Sequence, residues 1–246
     1  INKHMRPIDN IQFGYYLSGI IDSKGEFNNL SELIILFNKK NIKLAYYLKS
    51  KLGYGIIKNI KNQNKFVFII KDKKGILKVL NLINNKIRNI NIYNQICDNV
   101  LIKSYFKKLN INNNNFHYNN TYNYNNYWIA GIIDSIGIFT INMNRYTNNM
   151  ELCLKINHTN LDILNIFMIK FGGYIEYNTN DKSSNKMSYV SMNYNSVYKI
   201  IKYLDKYHLQ SDMFINYLKW RKIYVMLQED RQFSFQGMNR ITRLIE

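Results

Sequence analysis

Two hydrophobic periods alternate along the chain. Leu44, Tyr47, Leu48 and Leu52 recur at the spacing of one helix face, whereas Phe66, Phe68 and Ile70 mark every second position, as one face of a strand does. In the first half these periods predict strands over 26–30 and 32–37, a helix over 41–52, strands over 54–60 and 65–70, and a helix over 73–83. In the second half they predict strands over 138–144 and 151–157, a helix over 160–171, strands over 173–177 and 187–192, and helices over 196–205 and 214–228. Gly53 and Gly55, like Gly172 and Gly173, stand where a helix gives way to a strand, as a left-handed C-terminal cap requires.

The order of elements repeats because the sequence repeats. Residues 16–27 read YLSGIIDSKGEF and residues 128–139 read WIAGIIDSIGIF, so Gly131 follows Gly19 at an offset of 112 residues. Each copy opens a half that reads α-β-β-α-β-β-α, an α+β architecture of two pseudo-symmetric lobes. The first lobe covers 1–110 and the second 127–246, the latter ending in a helix and a basic tail. Between them, 111–126 is rich in Asn without apolar period and reads as a linker, either a folded connector or a low-complexity tract. In each repeated segment a Gly and its small neighbour, Ser18 or Ala130, sit among Ile and Leu. A glycine inside a helix costs about 1 kcal/mol relative to alanine, so two at equivalent places predict that the two helices pack against each other there.

Composition narrows the function. Thirty-four Lys plus Arg against 16 Asp plus Glu leave a formal charge of +18 on 246 residues, which selects a polyanionic partner, nucleic acid first. Two cysteines, Cys97 and Cys153, and four scattered histidines exclude a disulfide framework and zinc-finger spacing. Nucleotide-binding, serine-hydrolase and zinc-protease signatures of the GxxxxGK[ST], GxSxG and HExxH types are absent from the sequence. No apolar run reaches the roughly 20 residues that span a bilayer, and 1–10 resembles neither a signal peptide nor an amphipathic presequence. Abundant Asn, Ile, Lys, Tyr and Phe, with one Pro, point to an A/T-rich genome such as an organelle's and to a mitochondrial matrix protein made where it works. The first residue is Ile, from which a longer precursor is expected.

Segments 17–25 (LSGIIDSKG) and 129–137 (IAGIIDSIG) resemble the LAGLIDADG motif of homing endonucleases and group I intron maturases, in the single-chain form with two motifs. The resemblance covers nearly the whole chain. It implies motif helices at the lobe interface, with Gly19, Asp22, Gly131 and Asp134 in it, and two antiparallel sheets shaped as a saddle. In the endonucleases of this family an acid at the eighth motif position holds Mg2+ near the scissile phosphate. Those positions here are Lys24 and Ile136, a cation and a hydrocarbon, where a hard metal ion needs oxygens. Asp22 and Asp134 lie two residues earlier, about 200° around the helix, and are expected to serve hydrogen bonding instead of metal binding. Glu26 could approach the metal position, but its counterpart is Ile138. The stretches 87–95 and 209–217 match loosely where the family places a basic residue, and the second offers Gln210, Ser211 and Asp212 there.

The resemblance therefore implies a protein without catalytic residues or a resident metal, Mg2+ entering only if endonuclease activity survives. The expected function is that of a maturase: binding group I intron RNA, or another structured RNA, and stabilising its folded form. DNA cleavage or nicking, and service in an organellar ribonucleoprotein, are the alternatives, with a nuclear-encoded splicing protein as a further partner. Phosphate contacts are expected from Lys39 and Lys40 at a strand-to-helix turn, and from Lys58, Lys61, Lys65 and Lys71 around the second hairpin. Arg145, Lys155, Lys182 and Lys186 occupy corresponding places in the second lobe, and Arg231, Arg240 and Arg243 follow its long helix. Because a saddle fitted to the B-form major groove cannot enter the narrow groove of A-form RNA, the RNA surface is expected on helix faces or the tail.

Overall fold

The computed structural model describes residues 8–61, 63–108, 115–144, 149–177 and 187–245. Helix α1 (Asn10–Lys24) starts where the Asp9 carboxylate accepts the Gln12 N–H at 2.7 Å, an N-cap that fixes the entry of the chain. Strands β1 (Gly25–Phe27) and β2 (Leu33–Asn38), helix α2 (Ile42–Leu52), strands β3 (Ile56–Ile60) and β4 (Lys65–Ile70) and helix α3 (Lys73–Ile83) follow. Helix α4 (Ile90–Ile96), a π-helical turn and helix α5 (Ser104–Lys108) lead into the connector. The second copy runs through α6 (Trp128–Ile136), β5 (Gly137–Asn144), β6 (Asn149–His158), α7 (Leu161–Phe171), β7 (Tyr174–Tyr177), β8 (Met187–Ser191) and α8 (Tyr194–Lys206). Helices α9 (Met213–Gln228) and α10 (Phe235–Ile245) end it. Both halves thus carry the expected α-β-β-α-β-β-α order, and each has one antiparallel four-stranded sheet, ordered β1-β2-β4-β3 and β5-β6-β8-β7.

The chain divides into two compact units, Ile1–Ile136 with Tyr207–Asp212, and Gly137–Lys206 with Met213–Glu246. The division differs from the lobes of the sequence repeat because α6 packs along α1 and so joins the first unit. In that unit the β2 and β4 register, Leu33 opposite Ile70 through Asn38 opposite Lys65, turns Leu33, Ile35, Phe37, Phe68 and Ile70 to one face. These side chains are fully buried, as are Leu44 and Leu48 of α2. In the second unit Leu154 and Ile156 of β6 and Tyr189 of β8 are buried likewise, and Trp220 of α9 donates its indole N–H to the Thr140 carbonyl at 3.2 Å.

Departures from the sequence expectations are local. The first strand ends at Phe27, not residue 30, because the Asn28 side chain accepts the Leu30 and Glu32 N–H groups at 3.0 and 2.9 Å and Ser31 takes φ 62°. Residue 54 lies outside β3 because Gly55, at φ +101°, breaks the strand. Residues 235–245, expected as tail, form α10. Of the linker, 115–126 is described and is pinned to the first unit: Asn84 brackets it, donating to the Asn115 carbonyl at 2.8 Å and accepting the His117 N–H at 2.8 Å.

Candidate functional site

The paired helices α1 and α6 set the geometry of the site. A methyl group built on Gly19 would overlap the Trp128 carbonyl, and one on Gly131 would overlap the Tyr16 carbonyl, so each glycine admits the other helix's backbone reciprocally. Ser23 and Ser135, one residue before the eighth motif positions, meet at 2.5 Å between their Oγ atoms. Lys24 and Ile136, both partly buried, are the last residues of α1 and α6. Burial lowers the Lys24 pKa. Neither side chain carries an oxygen, so the pair does not fit a Mg2+ ion. Among the described residues no three His, Cys, Asp or Glu side chains converge in a way that could hold a metal.

Asp22 and Asp134 are buried and are used as acceptors. Asp22 takes the backbone N–H groups of Arg88 and Asn89, at 2.8 and 3.2 Å, just before α4, and the Trp128 indole N–H at 2.8 Å. Asp134 takes the N–H groups of Gln210 and Ser211, at 2.6 and 3.1 Å, the Ser211 hydroxyl, and the Tyr16 hydroxyl at 2.5 Å. Tyr16 and Trp128 occupy equivalent places in the repeat, so each motif helix donates to the other's aspartate. Sequence reasoning missed both aromatic donors and the role of 88–89 and 210–211; the loose match of 87–95 with 209–217 was the available signal. It missed Arg88 as well, which donates to the Thr121 and Asn123 carbonyls, the latter at 2.9 Å, and stacks over Tyr124 with 4.8 Å to the ring centroid.

Burial pushes the Asp22 pKa up to about 7, against the hydrogen bonds that favour its anion, and it raises Asp134 in the same way. Between about pH 4 and pH 7 the folded protein therefore retains a proton that unfolded Asp22 releases, so this residue's contribution to stability falls as pH rises through that window. The stability of the native protein relative to Asp22→Asn is expected to decline from pH 4 to 7 and level off above it. Urea denaturation of both proteins across that range checks this; a difference that grows with pH contradicts it.

The described nucleic-acid candidates fall on several different elements. Lys39 and Lys40 are exposed in a 3-10 turn, Lys58 on β3, Lys61 in the β3–β4 turn and Lys65 at the start of β4. Lys71 pairs with Glu32 at 3.1 Å and Lys155 with Glu176 at 3.1 Å. Arg145, Lys182 and Lys186 fall outside the described residues. The sheet face opposite the first unit's core carries Ile34, Leu36, Val67, Ile69 and Ile56 beside Lys58 and Lys65, with Leu36 47% and Ile56 41% exposed. The corresponding face of the second sheet sets Glu151 and Glu176 against Lys155. Cations gather instead on helices. Lys51, Lys74 and Lys78 line a cleft of about 420 Å³ between helices of the first unit, and Arg231, Arg240 and Arg243 line one of about 690 Å³ in the second.

A two-motif helix pair followed by two such sheets defines a LAGLIDADG protein, and the comparisons agree. The LAGLIDADG endonuclease family profile matches residues 129–224. An uncharacterized cox1 intron-2 protein of 37.2 kDa from Schizosaccharomyces pombe is 39% identical, covering 98% of this chain and 74% of its own length. The intron-encoded DNA endonuclease aI3 of Saccharomyces cerevisiae is 23% identical over 90% of this chain and 65% of its own. The intron-encoded RNA maturase bI4 of the same yeast is 25% identical over 78% of this chain and 29% of its own. Meganuclease I-SmaMI, solved bound to uncleavable DNA, shares the fold with a TM-score of 0.72 at 17% identity, over 94% of this chain and 97% of that one. The chain belongs to the LAGLIDADG family of intron-encoded endonucleases and maturases. Among the described residues no helix is long and apolar enough to cross a membrane.

Proposed function

We propose that this chain is a mitochondrial maturase: it binds the folded RNA of a group I intron, stabilises the splicing-competent form, and does not cut DNA. The observation that carries this reading is the pair of eighth motif positions, Lys24 and Ile136, at the ends of α1 and α6. An ammonium repels the divalent cation that phosphodiester hydrolysis needs, and a hydrocarbon cannot ligate it. The outward face of the first sheet supports the same conclusion. Reading a DNA major groove requires a row of polar side chains matched to base edges, whereas the first sheet presents Ile34, Leu36, Val67, Ile69 and Ile56 there beside Lys58 and Lys65. A maturase needs no nucleophile of its own. The intron RNA performs the transesterifications, and the protein contributes counterion release together with tighter binding to the native RNA fold. The cox1 intron relative supports the mitochondrial assignment.

The competing reading is a nickase built on Glu26, exposed on β1 just past Lys24. Incubation with Mg2+ and duplex DNA spanning the intron insertion site separates the two. No site-specific cut is expected, while a transcript containing the intron splices faster with protein than without. A cut abolished by Glu26→Gln would establish the nickase. Ribosomal RNA recovered with the protein, in place of intron RNA, would assign it to another ribonucleoprotein.

A further inference from the structure

The C-terminal arginine cleft has features that phosphate attraction alone does not require. Gln236, Asn239, Arg240 and Arg243 recur at i, i+3, i+4 and i+7, so α10 turns two amides and two guanidinium groups to one side. The opposite wall is Arg231, whose turn comes close because residue 237 is glycine: a methyl group there would overlap the Arg231 carbonyl. Arg231 is held by Glu229 at 2.5 Å. Among the described residues neither Arg240 nor Arg243 has an ion-pair partner, so their charge remains available to a ligand. Phe233 closes the turn and Phe235 opens α10, on either side of Ser234, and they expose 64 and 81% of their surface. Two exposed aromatic rings that flank cleft-lining Ser234 in the chain add a face for stacking to the cleft's donors for phosphate and its amide donors and acceptors for base edges. A smaller cleft of about 330 Å³, sharing Arg231 and Arg240 and adding Lys222, prolongs the positive track along α9.

We propose that this cleft binds an unpaired stretch of RNA, with phosphates on Arg231, Arg240 and Arg243 and bases stacked on Phe233 and Phe235. A duplex would satisfy the arginines but leave the rings and amides idle, since its bases are stacked on one another; only a single strand can offer base faces and edges to the protein. The proposal rests on the maturase reading, and names the part of an intron RNA that the protein grips: a loop, bulge or junction strand in place of a helix.

Fluorescence anisotropy with the whole chain tests it, using labelled RNA of about a dozen uridines, which suits the site size of a single-strand groove, a blunt RNA duplex annealed from two strands without a loop, and DNA of the same single-stranded length. The native protein is expected to bind the single strand in preference to the duplex. Arg240→Ala with Arg243→Ala is expected to weaken single-strand binding about tenfold or more and to flatten its salt dependence. Phe233→Ala with Phe235→Ala is expected to weaken it by a similar factor while leaving the salt dependence unchanged, the signature of stacking. All four side chains are exposed, and matching urea midpoints confirm that each variant is folded. Native protein that binds RNA while both variants bind equally well would place the RNA elsewhere and leave the maturase reading intact. Equal affinity of native protein for duplex and single strand would also overturn the site. Native protein that binds neither RNA would overturn the site, whereas an intron transcript that splices no faster with the protein is what would overturn the maturase reading.

Discussion

Gly131→Ala is expected to lower the stability of the protein by about 3 kcal/mol or more, among the larger effects a single methyl group can have. The added carbon would occupy the space of the Tyr16 carbonyl oxygen, and it would also stand 3.3 Å from the Ile20 nitrogen. These atoms are helix backbone, so no side chain can rotate out of the way. α1 and α6 must separate, and everything hung on their approach moves with them: the Ser23–Ser135 contact, the Tyr16 bond to Asp134 and the Trp128 bond to Asp22. Gly53→Ala is the control. At φ +70° that residue ends α2 with nothing within 4 Å of a built methyl group, so alanine there strains only the backbone and is expected to cost about 1 kcal/mol. Gly19→Ala faces the Trp128 carbonyl in the same way as Gly131→Ala faces Tyr16. Once one methyl has forced the helices apart, the second adds less, so the double variant is expected to lose less than the sum of the singles. Urea midpoints of the four variants and the native protein check this; a loss at Gly131 no larger than that at Gly53 would mean the helices tolerate a wider spacing.

What the sequence made legible follows from how far each signal reaches along the chain. The helix pair could be read because small residues and their apolar neighbours sit within nine positions, and because the pattern occurs twice. β4 could be read because Phe66, Phe68 and Ile70 alternate locally. By contrast, the partners of Asp22 and Asp134 are mostly backbone N–H groups of residues 66 to 77 positions away. A backbone donor has no residue-type signature, so only folding identifies it. Alternation also conceals what the outward sheet face is. In LIILFN and KFVFII both faces are apolar, and only burial separates Leu33, Ile35 and Phe37 from Ile34 and Leu36. α10 went unread because its buried positions are sparse, Gly237 and Ile241, among charges and amides that suit a tail equally well.

The same reasoning makes Asp22 the most informative side chain to remove. Its carboxylate accepts three donors that are shut away from water, two from the backbone entering α4 and one from the Trp128 indole. Asp22→Ala leaves all three unsatisfied, and because each buried orphan donor costs about 1–3 kcal/mol, a total loss of roughly 3–5 kcal/mol is expected after local relaxation. Trp128→Phe removes one of those donors and keeps most of the ring, at the expense of its bond to Asp22. In the Asp22→Ala background that exchange relieves one orphan, so the double variant is expected to be about 1 kcal/mol or more better than additive. The aspartate thus acts as a bolt: it joins the first motif helix to the start of α4 and to the second motif helix at one point, with no metal required. Were it instead a ligand left over from cleavage chemistry, alanine there would relieve the burial of a carboxylate and raise stability, especially above pH 7, where the native side chain is charged. Denaturation of Asp22→Ala at pH 5 and pH 8 decides between these: a loss at both values is expected, smaller at the higher pH, whereas a gain at pH 8 would remove the structural role assigned to the motif aspartates.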